Sequence, residues 1–163
     1  MTFIAVAPLS TQSTSTPIVD EIENEDWFPN LYLPTLRQTM RLDGTVTDAR
    51  LLMAVVGAIL HVNSELAIWK AKQQAEGYTH LIMVPATLIN RESRLLAYYW
   101  RAVFSTTKAD LLEKYRDYDT TASGMTDKKL SESLENATGE HRRNAHWAIA
   151  SITGRPHMTV ELI

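Results

Sequence analysis

The chain has 163 residues, 45% of them apolar and 21% charged, which is enough to bury the core of one domain. Lys and Arg number 16 against 19 Asp and Glu, a net charge of −3 that excludes a strongly basic nucleic-acid binder. The lack of cysteine excludes a disulfide scaffold, thiolate zinc sites and a Cys nucleophile, and fits a reducing compartment.

The N-terminal stretch Met1–Ser10 is apolar but has no basic residue before it, so no secretory signal is expected. No unbroken apolar run approaches the roughly 20 residues of a membrane span, so no membrane partner is expected either. Residues 10–16 read STQSTST, and Asp20, Glu21, Glu23, Glu25 and Asp26 all precede the first basic residue, Arg37. Such a stretch buries too little surface to offset its ordering entropy. Residues 1–26 are therefore read as a mobile acidic arm. The rest of the chain carries a net +2.

Order is expected from Trp27-Phe28-Pro29, two adjacent aromatics that suit an anchor onto a packed surface. Pro34 suits the first turn of a short helix through Leu36, Met40 and Leu42, broken by Asp43-Gly44. Thr47 is then a candidate N-cap, with Asp48 favouring the helix dipole. Leu52, Val55, Ile59, Val62, Leu66 and Trp69 step by three and four, one face of a helix predicted over about Asp48–Glu76. Met53, Val56 and Leu60 widen that face, and Gly77 supplies the stop.

Residues 77–87 read as a connector. A second long helix is predicted from near Asn90, carrying Leu95, Leu96, Tyr99, Val103, Leu111, Leu112 and Tyr115. The polar run Ser105-Thr106-Thr107-Lys108 lowers local propensity and allows a kink; residues 116–124 read as a loop. A third long helix follows Thr126, with Leu130, Leu134, Ala137, His141, Ala145, Ala148 and Ile152 on an Ala-rich stripe that permits close helix approach. Gly154 and Pro156 end it. Residues 157–163 alternate Met158, Val160 and Leu162 with polar residues, an extended tail that needs a helix surface or another molecule to pair with. The expected fold is all-α: a bundle of three long helices over residues 27–156, a short N-terminal helix, and extended ends.

Catalytic patterns are missing. His141 and His146 are five apart, about 140° around an ideal helix, whereas a helical zinc pair wants four. His141 lies on the apolar stripe and reads as a core histidine. No G-x-S-x-G elbow and no Gly-rich phosphate loop occur, and no carboxylate pair has a recognisable catalytic context. In Tyr98-Tyr99-Trp100-Arg101, Tyr99 joins the core stripe and Trp100 flanks it. Arg142 and Arg143 form a solvated face that could meet phosphate or an acidic partner. No catalytic residue, metal ligand or cofactor site is assigned, and the class is an interaction or structural protein. A helical DNA-binding or regulatory module is the alternative, motivated by Arg142, Arg143 and the aromatic cluster.

A family likeness adds to this. Trp27-Phe28-Pro29, then the run from Met40 through Leu42-Asp43-Gly44 to Leu51, resembles the P2-type phage head completion (head stabilisation) family called GpL. Asn63-Ser64-Glu65-Leu66, Ala75-Glu76-Gly77-Tyr78, Tyr98-Tyr99-Trp100-Arg101-Ala102-Val103, Leu112 to Asp117, Asp127-Lys128-Lys129 and Trp147 to Pro156 follow in order. The likeness covers about residues 27–163. It implies a non-enzymatic virion protein of a contractile-tailed phage or prophage, made in the host cytoplasm and sited at the head–tail junction. Such proteins join the head after DNA packaging, bind the portal vertex and prepare it for the tail. The partners implied are the portal protein, the tail terminator or other neck proteins, further copies in a ring of twelve, and DNA in passing. The residues put forward for partner binding are Trp27, Phe28, Pro29, Arg142, Arg143, Met158, Val160, Leu162 and Ile163.

Overall fold

The computed structural model describes residues 20–42, 44–122 and 128–157, with side chains over those ranges except 115–134. Four helices dominate: α1 (Leu33–Thr39), α2 (Asp48–Ala75), α3 (Arg94–Ala122) and α4 (Lys128–Thr153). Two antiparallel ribbons accompany them. Strand β1 (Glu21–Ile22) pairs with β2 (Leu31–Tyr32), and β3 (Leu88–Ile89) with β4 (Glu92–Ser93). The fold is thus mostly helical but not strictly all-α.

Helix α2 begins as its residues dictate. The Thr47 hydroxyl accepts from the Arg50 amide, and Asp48 sits in the first turn. At the other end Gly77 takes a φ of 97°, and the amides of Gly77 and Tyr78 return to the carbonyls of Gln74 and Gln73. Leu51, Val55, Val62 and Leu66 are fully buried and face α3, whose Tyr99, Ala102 and Val103 are equally enclosed. Helix α3 also packs along α4, whose buried Ala145 and Ala148 lie on one stripe.

Three readings need correction. Order starts earlier than Trp27: Ile22 is buried, β1 is paired, and Asn24 and Glu25 bond to α2, so residues 20–26 belong to the packed structure rather than to an arm. Residues 1–19 lie outside the described residues. Asn90 does not open a helix. It and Arg91 take φ of 51° and 65°, the two left-handed positions of a tight hairpin turn, and α3 begins at Arg94. The same short amide that caps helices also tolerates that conformation. Finally, α3 runs unbroken to Ala122 rather than looping from residue 116. The polar run at 105–108 does not interrupt it, because the Thr106 and Thr107 hydroxyls bond back to the carbonyls of Ala102 and Val103 within the helix.

Met53, Val56 and Leu60, expected to widen the core face of α2, are instead exposed. The helix is apolar on two sides, and among the described residues only one side is packed. By length and composition α2 is also long and apolar enough to cross a membrane, contrary to the expectation from unbroken apolar runs, although its α3-facing side is filled by protein.

Candidate partner-binding surfaces

The segment from Asp20 to Tyr32 lies as a strap across the helices. Trp27 and Phe28 are 3% and 4% exposed, so both anchor rings are spent on this chain's own core. Phe28 stacks on Tyr99 with ring centres 4.8 Å apart, and Trp27 meets Trp69 edge-on at 5.8 Å. Burying each ring contributes on the order of 3 kcal/mol. The Trp27 indole N–H donates to the Tyr78 carbonyl at 3.0 Å, and the Leu81 amide donates to the Trp27 carbonyl at 2.9 Å. Pro29 is half-buried, and its carbonyl accepts from Asn24.

Beneath the strap three polar side chains close a ring of hydrogen bonds. Asn24 donates to the Tyr99 hydroxyl at 2.7 Å, Tyr99 donates to Asn63 Oδ1 at 2.7 Å, and Asn63 donates back to Asn24 Oδ1 at 3.0 Å. The second Asn63 hydrogen reaches Glu25 at 3.1 Å, and the second Asn24 hydrogen reaches the Pro29 carbonyl at 2.9 Å. Every donor of both amides is used. Glu25 in turn pairs with Lys70, which lies 5.2 Å from the Phe28 ring centre. That ammonium, bonded to the Glu25 carboxylate, holds its pKa below the ordinary range. Burial pushes the Tyr99 phenol up, so it stays protonated. Sequence reading placed Tyr99 in the core but missed the polar ring. The available signal was Asn63, an amide in the middle of an apolar helix.

Arg142 and Arg143 do not act as a pair. Arg142 bonds Glu113 at 2.6 Å across α3 and α4, while Arg143 is exposed. Arg142 and Glu113 border an open cleft of about 430 Å³ between α2, α3 and α4, which also takes in His61, Glu65, Asp110 and His146. Asp110 is paired with Lys114 at 2.8 Å and Glu113 with Arg142, so these acids are committed to neighbouring cations rather than converging on a bond. His141 is half-buried with Nδ1 unpartnered. Burial, with Lys108 adding repulsion, lowers its pKa against the opposing pull of Glu140. Among the described residues no group of three or more His, Asp or Glu could hold a metal ion. Met158, Val160, Leu162 and Ile163 lie outside the described residues.

The connection from α2 to α3 carries a feature the sequence reading passed over. Ile82, Met83, Leu88 and Ile89 are all more than half exposed, and the last two form strand β3 at the hairpin. All four are large apolar side chains exposed on a single connection.

Comparison with known proteins gives these surfaces a context. Residues 22–163 match the family model described as phage head completion protein (GPL). The chain is 38% identical over 162 residues to the head completion/stabilization protein of Escherichia phage P2, covering 96% of this chain and 94% of that one. No solved structure matches. A match running from the strap through the last helix places the chain in the phage head completion protein (GPL) family.

Proposed function

We propose that this chain is a structural virion protein that completes and stabilises the filled head of a tailed phage or prophage. It binds the portal vertex after DNA packaging and prepares that vertex for the tail. It works at the head–tail junction as one subunit of a ring of twelve, with the tail terminator or another neck protein on its far side. A ring uses heterologous contacts, in which one face of a subunit meets a different face of the next. The reading is carried by the family match over residues 22–163. It is supported by the apolar connection at Ile82, Met83, Leu88 and Ile89, a surface suited to being covered. The tail from residue 157 adds a segment that can dock by strand addition.

Two experiments test it. Electron microscopy of the protein mixed with portal rings should show a second ring of density seated on the portal. The double substitution L88D/I89D should leave helical content unchanged and abolish that density, as should removal of residues 157–163. Purified particles that lack the polypeptide would overturn the proposal, as would portal rings left bare by the unaltered chain.

A further inference from the structure

Helix α2 presents a second apolar face that the fold leaves open. Met53, Leu60 and Ile68 are 73%, 66% and 70% exposed, and Val56 is 40% exposed. Residues 53, 56, 60, 64 and 67 step by three, four, four and three, so Met53, Val56, Leu60, Ser64 and Ala67 form one stripe with Ile68 beside it. None is charged. From residue 53 to 68 the stripe is about 22 Å long at 1.5 Å per residue. Its middle is concave: a groove of about 410 Å³ has Leu60, Ser64 and Ala67 on one side and Glu25 of the strap, with its partner Lys70, on the other.

The occupant is indicated by the chain itself. The strap reaches this groove at Glu25, and the described chain starts only five residues earlier, at Asp20. The 19 residues before it contain no Asp, Glu, Lys, Arg or His. They divide into an apolar segment, Phe3-Ile4-Ala5-Val6-Ala7-Pro8-Leu9, and a polar tether from Ser10 to Val19. Seven extended residues span about 23 Å, the length of the stripe, and ten tether residues reach about 33 Å. An uncharged apolar segment is thus tied beside an uncharged apolar stripe of equal length. A tether this short sets a local concentration in the millimolar range, which favours the segment of the same chain over another molecule's.

We propose that residues 3–9 dock along the exposed stripe of α2 in the same chain, capping its second apolar face. This does not depend on where the protein sits in a phage particle, and its test involves no portal.

The chain has no cysteine, so a pair can be introduced cleanly. Full-length protein carrying Val6→Cys and Leu60→Cys is treated with a short bismaleimide in dilute solution. Within-chain linkage is expected in about tenfold higher yield than for Val6→Cys with Arg143→Cys on α4. Equal yields at both sites overturn the proposal. Linkage that appears only between chains overturns it as well, and assigns the stripe to a second copy. A second measurement does not rely on linkage. Removing residues 1–9 should raise binding of a naphthalene-sulfonate dye several-fold, and Leu60→Asp in the shortened chain should reverse the rise. Dye binding unchanged by the removal overturns the proposal, as does co-flotation of the full-length chain with phosphatidylglycerol vesicles that Leu60→Asp abolishes.

Discussion

Replacing Asn63 with Ala should be among the most damaging polar substitutions available in this protein. Asn63 is 6% exposed and makes three hydrogen bonds, to Asn24, Glu25 and Tyr99. The Glu25 bond lies near solvent and counts for little. Of the other two, the Tyr99 bond is buried and the Asn24 bond part-buried, at about 1 kcal/mol net each. The larger effect is what remains behind. Tyr99 is fully enclosed, and without Asn63 Oδ1 its hydroxyl has no acceptor for its proton. An orphaned buried donor costs about 1–3 kcal/mol. The total is about 3–5 kcal/mol, or a fall in Tm of roughly 6–20 °C for a chain of this size. Tyr99→Phe should cost less, about 1–2 kcal/mol, because Asn24 keeps its second donor bond to the Pro29 carbonyl. The double variant should then cost at least about 1 kcal/mol less than the two singles added together, since both remove the same bond. Urea unfolding followed by circular dichroism reads all three. Equal losses for Asn63→Ala and Tyr99→Phe, or strict additivity, would refute the closed ring as the source of the stability.

Further outcomes follow from the same structure. Glu25 has a lowered folded pKa, so its contribution is present above 4.5, the ordinary carboxylate value, and is lost as pH falls through the folded value; Glu25→Gln should flatten that acid limb of urea midpoints. His141 is also lowered, so its unfolded form takes up a proton first and stability should begin to fall below pH 6.5, a slope that His141→Gln removes. Gly154→Ala should lower stability by about 1 kcal/mol, because φ is 71° and the added methyl meets nothing that could compensate. Gly57→Ala should raise stability by up to about 1 kcal/mol, since the site is helical and equally open, and urea unfolding reads both glycine variants.

Much of the helical skeleton could be read in advance because its signals are local. Thr47, Asp48 and Gly77 mark the ends of α2 through hydrogen bonds to neighbours a few residues away, and the structure keeps Asp48 as the first helical residue. The Ala-rich stripe of α4 declares its packing in the same way. Misreadings arose where one residue type serves two local conformations. Asn90 suits a cap or a left-handed turn, and only the pairing of Leu88 with Ser93 decides between them. Residues 20–26 looked unordered because composition records their charge and not their partners. Asn24 is ordered by Asn63 and Tyr99, 39 and 75 residues away, and no window along the chain holds both ends of such a bond. The partner-binding readings were less legible still, since an aromatic pair that anchors a strap and one that anchors a neighbour have the same sequence.

The two faces of α2 explain why an apolar helix of this length can belong to an assembling protein. Its α3-facing side is closed by Tyr99, Ala102 and Val103, and the strap is locked across that side by Asn63 and Lys70. Its other side is open among the described residues and is the face assigned above to residues 3–9. A stripe about 22 Å long and one helix wide offers a few hundred square ångströms, below the roughly 800 Å² each partner gives to a stable interface. Alone, then, it cannot hold two free copies together. Joined to the exposed connection at Leu88 and Ile89, or relieved of a covering segment, it can contribute to a larger contact formed on a template. With the portal-bound ring proposed above, that division predicts a chain that stays monomeric at concentrations where the ring on the portal is complete. Sedimentation of the free protein showing a stable dodecamer would contradict it.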